Sequence, residues 1–385
     1  MISREFSADA RGSMGLFDRV LRLNTILIIL IILPALVGFA MLYSAAGGEI
    51  EPWARPQMIR FAIGMLIMLT AALVDIRFWI KFAYYIYGLA LILLIGVELA
   101  GDSAMGAKRW VNVGLLQLQP AEIMKIALVL ALARYFHTTT IQDMKRISIL
   151  IPPLILILVP SLLVLRQPDL GTAALLVISG TVILFLAGLK IWKLAIGLGI
   201  LLGSIPIVWQ FLREYQRSRI LTFINPESDP LGAGYHILQS KIAFGSGGMF
   251  GKGFLHGTQS HLNFLPEKQT DFIFTMLAEE FGLLGGIGLL LLYFLLLAHG
   301  TILTLRCTNQ FGRLLGMGII STFFLYIFIN MAMVMGLVPV VGVPLPLISY
   351  GGSSMLTLLL GFGLILNIYI NRNTRLSPRA NYLNT

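Results

Sequence analysis

"NTILIILIILPALVGFAMLYS", residues 24–44, runs for 21 residues without a charged side chain. As a helix it would extend about 30 Å, the thickness of a bilayer's hydrocarbon core. Alone it has two readings, the h-region of a signal peptide or a membrane span. It is long for an h-region and similar runs follow it, so it reads as the first of several spans. The composition agrees: 57% of the 385 residues are hydrophobic and 12% charged, about half the charged share of a soluble domain. A single cysteine, Cys307, excludes an internal disulfide framework and a cysteine metal cluster. The net charge of +10 needs no nucleic acid, because membrane proteins collect Lys and Arg in cytoplasmic loops.

Working outward, apolar runs predict ten transmembrane helices, at about 24–44, 57–74, 78–98, 120–136, 149–165, 172–189, 191–211, 271–298, 314–338 and 347–370. With both termini inside, sixteen of the 28 Lys and Arg residues fall in inner segments and five in the short outer ones. That bias fits an even number of spans with cytoplasmic N and C termini. The expected fold is an all-α polytopic membrane protein. It has a cytoplasmic tail over 1–23, one transmembrane domain over 24–370, and a second cytoplasmic tail over 371–385. Residues 212–270 form one long extracytoplasmic loop between helices 7 and 8. Its glycines alternate with apolar positions in "GAGYHILQSKIAFGSGGMFGKG" (232–253), a pattern of re-entrant or interfacial segments.

Polar residues in so apolar a chain need a reason. Asp271, in "NFLPEKQTDFIF" (263–274), is the last charge before the eighth predicted helix. It fits an N-cap and equally a general base at the membrane surface. In "LQLQPAEIMKIAL" Pro120 opens a helix. Lys125 stands in its first turns against the dipole, three residues from Glu122, so the two form an ion pair at the membrane edge. Lys108, Arg109 and Trp110 make either an interfacial anchor or a diphosphate site. Arg213, Arg217 and Arg219 raise the same question, with lipid headgroups the plain answer. Asp169 caps the sixth helix. "VPVVGVPLPLISYGGSS" (338–354) cannot be regular helix, so its backbone packs on protein or lines a cavity. Ser349, Ser353, Ser354 and the N–H groups of Gly351 and Gly352 are then candidates to face a polar ligand. Glu279 and Glu280 lie deeper in the eighth helix, where a transporter would also place carboxylates.

The blocks "GAKRW", "QPAEIMKIALVLALARY", "QPDLGTA", "DPLGAGYHILQS", "GSGGMFGKGFLHGTQS", "FLPEKQTDFIFTMLAEEFGLLG" and "GVPLPLISYGGSS" resemble, in order and spacing, the SEDS family of shape, elongation, division and sporulation proteins. The resemblance runs from about residue 24 to 370, and "GKGFLHGTQS" and "PEKQTDFIF" look like its elongation branch. It implies a peptidoglycan glycosyltransferase of the bacterial cytoplasmic membrane, facing outward, that polymerises lipid II for elongation and rod shape. The implied partners are a class B penicillin-binding protein and other elongation-complex membrane proteins. Asp271 matches the family's essential aspartate, and Glu122 and Lys125 its helix 4 pair, giving the catalytic set. Lys108, Arg109, Trp110, Gln119, Arg213, Arg217, Ser349, Gly351, Gly352 and Ser353 are the substrate-binding candidates. The cofactor expectation is a divalent cation, Mg or Mn, and no nucleotide. The rival expectations are a lipid II flippase whose path is formed by Glu279, Glu280 and the broken segment before the tenth helix, and a non-catalytic scaffold.

Overall fold

The computed structural model describes residues 15–374 and 376, apart from 101, 105–106, 114–115, 141–142, 168, 212–213, 226–232, 263 and 265–266. Among the described residues seven helices are long and apolar enough to cross a membrane, which makes the chain a multi-pass membrane protein. Taken in chain order, α1 (Leu16–Leu21) is a short leading helix, followed by α2 (Thr25–Ala45), α3 (Ala54–Leu73) and α4 (Ile76–Ala100). A small antiparallel sheet interrupts the helical order, with β1 (Asp102–Ala104), β2 (Ala107–Val113) and β3 (Leu116–Leu118) in that spatial sequence. Next come α5 (Pro120–His137), α6 (Ile151–Arg166), α7 (Leu170–Leu186), α8 (Ile191–Gly203) and α9 (Ile205–Phe211). The expected long loop carries three helices of its own, α10 (Glu214–Ile224), α11 (Ala233–Ser246) and α12 (Thr258–His261). The chain closes with α13 (Ile273–Leu305), α14 (Gln310–Val334) and α15 (Gly352–Ile370).

The seven long spans are α2, α3, α4, α6, α13, α14 and α15, with α6 counted from Ile147. The other three expected spans fall on α5, on α7 and, for 191–211, on α8 and α9, which a turn at Ser204 separates. Of these α5 carries Glu122, Lys125 and Arg134, while α7 and α8 are short apolar helices. Burial separates two layers. The central helices are α5, buried on nearly every face, and α14 and α15, of whose apolar windows 67% and 83% are buried. Around them α3 packs on α15, α4 on α5, and α2 on α13. Their outward Leu, Ile and Phe side chains remain exposed, as a helix facing lipid requires.

Two stretches depart from regular helix, and both are held by contacts from elsewhere in the chain. Residues 335–351 are not helical, as the prolines predicted, and their backbone is tied to side chains of the core. Asn330 donates to the Val343 carbonyl at 2.7 Å, Tyr293 to Pro346 at 2.6 Å, and Gln57 to Ser349 at 3.0 Å. The second stretch is inside α13, which breaks at Gly282 (φ 65°, ψ −160°). A helix break orphans carbonyls before it and N–H groups after it. The glycine-rich loop 247–253 supplies both kinds of partner. Lys252 and Gly253 donate to the Glu279 and Glu280 carbonyls, and Leu283 and Leu284 donate to Gly248 and Met249. The approach is close enough that a β-carbon on Gly251 would stand 2.1 Å from the Glu280 carbonyl oxygen, so only glycine fits.

Candidate active site

Asp271 lies in the turn before α13, but the N-cap position belongs to Phe272, whose side chain makes no capping bond. Asp271 thus stands one residue ahead of the N-cap position, in a turn held by tertiary contacts. The Asp271 carbonyl accepts from Asn330 Nδ2 at 3.1 Å. Its carboxylate Oδ2 sits 3.4 Å from where a β-carbon on Gly342 would be. The turn around it is sewn to the irregular stretch: Tyr350 N donates to the Gln269 carbonyl at 2.8 Å, and Ser349 Oγ to Thr270 at 2.6 Å. Lys268, in the same turn, stands over the Trp53 ring at 6.0 Å, and burial lowers its ammonium below the usual lysine value.

Glu122 and Lys125 form the expected pair, Nζ to Oε1 at 2.7 Å. They are more enclosed than a membrane-edge pair, with 4% and 2% of their surfaces exposed. Tyr326 of α14 completes the group: its hydroxyl donates to Glu122 Oε2 at 2.6 Å and is bonded to Lys125 Nζ. The ammonium also sits over the Tyr326 ring, 4.3 Å from its centroid. Tyr326 and Asn330 are four residues apart, so they share one face of α14 about 6 Å apart along its axis. That face brings the Asp271 turn and the buried pair together. Sequence reasoning missed both α14 residues; a Tyr and an Asn inside an otherwise apolar span were the available signal.

The other candidates divide. Asp169 caps α7, accepting from Thr172 N at 3.0 Å, and Gln119 Nε2 reaches its other oxygen at 3.4 Å. Lys108, Arg109 and Trp110 lie on β2; the side chains of the first two, like Arg213, fall outside the described residues. Arg217 donates to the carbonyls of Trp209 and Gln210 at the end of α9. Ser349 and Gly351 are corrections: the Ser349 hydroxyl is used by Thr270 and Leu345, and the Gly351 N–H by Gln57 Oε1. Gly352 instead provides room. Arg60 of α3 packs over it and stacks on Tyr350, 4.6 Å from the ring centroid. The Arg60 Nη1 is buried with no partner, a cation the sequence did not single out. Ser353 and Ser354 are buried at the head of α15.

Among the described residues no three His, Cys, Asp or Glu side chains converge. A divalent cation would be held here by fewer than three such side chains of the described residues, with substrate phosphates completing its shell. Both oxygens of Glu122 are already engaged by Lys125 and Tyr326.

Asn330→Ala leaves the Asp271 and Val343 carbonyls without their buried donor, a cost of about 1–3 kcal/mol. It is expected to lower the thermal midpoint and to reduce turnover more than substrate affinity; a variant of unchanged turnover would show that Asn330 does not position Asp271.

The matched family model, described as "Cell cycle protein" and covering FtsW, RodA and SpoVE, spans residues 22–374. The peptidoglycan glycosyltransferase MrdB of Escherichia coli K12 is 47% identical over 349 residues, 89% of this chain and 93% of that one. The stage V sporulation protein E of Bacillus subtilis is 34% identical over 90% of this chain and 96% of its own. Among solved structures, a chain of a peptidoglycan synthase complex that coordinates polymerization and crosslinking superposes with TM-score 0.80. It is 33% identical and covers 92% of this chain and 99% of its own length. Thermus thermophilus RodA superposes with TM-score 0.70 at 30% identity, over 92% and 98%. Motifs, helical architecture and relatives thus agree, and the chain belongs to the FtsW, RodA and SpoVE family, the SEDS family its motifs resemble.

Proposed function

We propose that the chain is a peptidoglycan glycosyltransferase that polymerises lipid II into glycan strands, with Asp271 as its general base. The observation that carries the assignment is the placement of the Asp271 carboxylate. It lies outside the N-cap position, beside the bare backbone of Gly342, in a turn pinned by Asn330 and Ser349. A sugar hydroxyl of one lipid-linked disaccharide attacks the anomeric carbon of a second. Asp271 accepts the hydroxyl proton as the bond forms, and the polyprenyl diphosphate departs with the bonding electron pair. No covalent enzyme intermediate is needed, so the anomeric centre inverts. Lys125 and Arg60 supply positive charge for the leaving group, Glu122 and Tyr326 hold Lys125, and no step is routed through a metal. Ten spans cross the membrane in this reading, the seven long helices together with α5, α7 and the α8–α9 pair. Both termini are cytoplasmic, residues 1–23 and 371–385 flank the single domain, and the Asp271 end of the bundle faces outward. The partner is a class B penicillin-binding protein supplying the transpeptidase.

The flippase alternative rested on Glu279, Glu280 and the broken segment before the tenth helix. Oε1 of each carboxylate is occupied, whereas Glu279 Oε2 is buried without a hydrogen-bond partner among the described residues. Glu279 accepts from Lys252 Nζ at 2.7 Å, Thr258 Oγ1 at 3.0 Å and Gln259 N at 3.1 Å, while Glu280 accepts from Ser44. These carboxylates hold the 247–259 loop on the broken helix. Glu279→Gln should therefore lower stability by about 1–3 kcal/mol and spare most polymerisation; loss of activity at full stability would return this residue to a functional path. The test of the function itself uses labelled lipid II. The purified chain and a class B penicillin-binding protein lacking its transpeptidase serine should yield glycan ladders. No ladder, with lipid II crossing proteoliposome membranes instead, makes the chain a transporter; neither result makes it a scaffold.

A further inference from the structure

His137 ends α5 at the opposite end of the bundle from Glu122, about 22 Å away along the helix axis. The imidazole is 7% exposed, and neither ring nitrogen has a hydrogen-bond partner. Burying a polar group unpaired costs about 1–3 kcal/mol, so the environment matters. The ring lines a cavity of about 620 Å³ shared with Thr308, Asn309, Gln310, Asn373, Thr374 and Leu376.

Several of those side chains are already used. Asn309 caps α14 through Gly312 N at 2.7 Å and donates to the Thr374 carbonyl at 3.4 Å, and the Thr308 hydroxyl donates to the Arg372 carbonyl at 2.8 Å. His137, Gln310 and Asn373 remain, each able to donate. The lining contains no carboxylate. The cavity opens at the N-terminus of α14, a helix of 25 residues, where partial positive charge collects. In sequence, Arg306 and Arg313 flank the lining segment 308–310, and Arg372 precedes the lining segment that begins at Asn373. Donors, a positive helix end and nearby guanidiniums select an oxyanion over a cation or an apolar group.

From this geometry we infer that the cavity is a binding site for a phosphate-bearing anion, on the cytoplasmic side of the membrane and separate from the Asp271 site. The anion inserts an oxygen between His137 and the head of α14, and Gln310 and Asn373 close over it at the rim. Two sources carry the same chemistry, the headgroup of an acidic phospholipid and free inorganic phosphate.

The test is an NMR titration of the full-length chain with its histidine rings labelled with ¹⁵N. There are five histidines, and the His137 signal is the one lost in His137→Asn. In neutral detergent, inorganic phosphate is added; in parallel, the chain is placed in nanodiscs of phosphatidylcholine with and without phosphatidylglycerol. A His137 shift that saturates with phosphate identifies the free anion, and one that appears only with phosphatidylglycerol identifies the headgroup. Either supports the site. Asn373→Asp adds a carboxylate at an exposed rim position, where folding is not at risk, and should weaken the saturating response about tenfold, the equivalent of about 1.4 kcal/mol. A ring that responds to neither source overturns the inference. So does a response that grows with phosphate without saturating, an adventitious ion only, or an affinity that Asn373→Asp leaves unchanged.

Discussion

Asp271→Asn is expected to cut glycan polymerisation by about 10²–10⁴ while the protein folds and melts as the parent does. Removal of a general base alone has an effect of that size. The substitution suits the question because the residue 271 carbonyl is tied to Asn330, and the N-cap position is Phe272. Neither depends on the side-chain charge, and Asn keeps the shape. Ladder formation from lipid II and a melting curve on the same preparation read activity and fold separately. If the ladders persist at normal rate, the base lies elsewhere. If the ladders vanish and the melting midpoint falls with them, the carboxylate was holding the turn, and the chemistry would have to be reassigned.

The second large effect concerns the buried pair. Glu122→Ala leaves the Lys125 ammonium almost wholly enclosed with only Tyr326 beside it, and breaking a buried pair from one side typically costs about 3–5 kcal/mol. Lys125→Met leaves Glu122 with the tyrosine alone and should also be severe. The double variant Glu122→Gln, Lys125→Met removes both charges and fills the space, so much of the stability should return. Activity should not return with it, because the positive charge assigned to the leaving diphosphate is gone. A double variant that recovers both stability and polymerisation would make the pair a structural device and leave Arg60 as the cation to test next.

Much of the architecture was visible in the chain because membrane spans are written locally. A bilayer demands an uninterrupted apolar run, and the run over 24–44 became α2 with its ends moved by one residue. The irregular stretch 338–351 was equally legible, since prolines and paired glycines exclude a helix wherever they fall. The Glu122–Lys125 pair followed from three-residue spacing on one helix. Its third member did not, because Tyr326 is 201 residues away from Lys125 in sequence and only tertiary packing joins them. The same limit explains Asp271. Local sequence fitted a cap and a base equally at that position, and the contacts to Asn330 and Gly342 come from other elements that it does not reveal. The break in α13 was hidden for a related reason. "AEEFGLLGG" reads as continuous helix, and the loop that replaces its missing hydrogen bonds lies some thirty residues upstream. The sheet before α5 was lost among its charges, although "AKRWVNV" alternates as a strand does.

The break also divides the molecule along a line the helix count does not show. From Ile273 to Phe281 the chain is covalently part of α13, yet its last carbonyls are bonded to residues 252 and 253 and its neighbour across the break is residue 248 or 249. The loop is bonded to both halves, to the carbonyls before Gly282 and to the N–H groups after it, so it joins what the break separates. It works as a splint on a cracked rod: the covalent chain turns at Gly282, and the load between the two halves passes through residues 248–253.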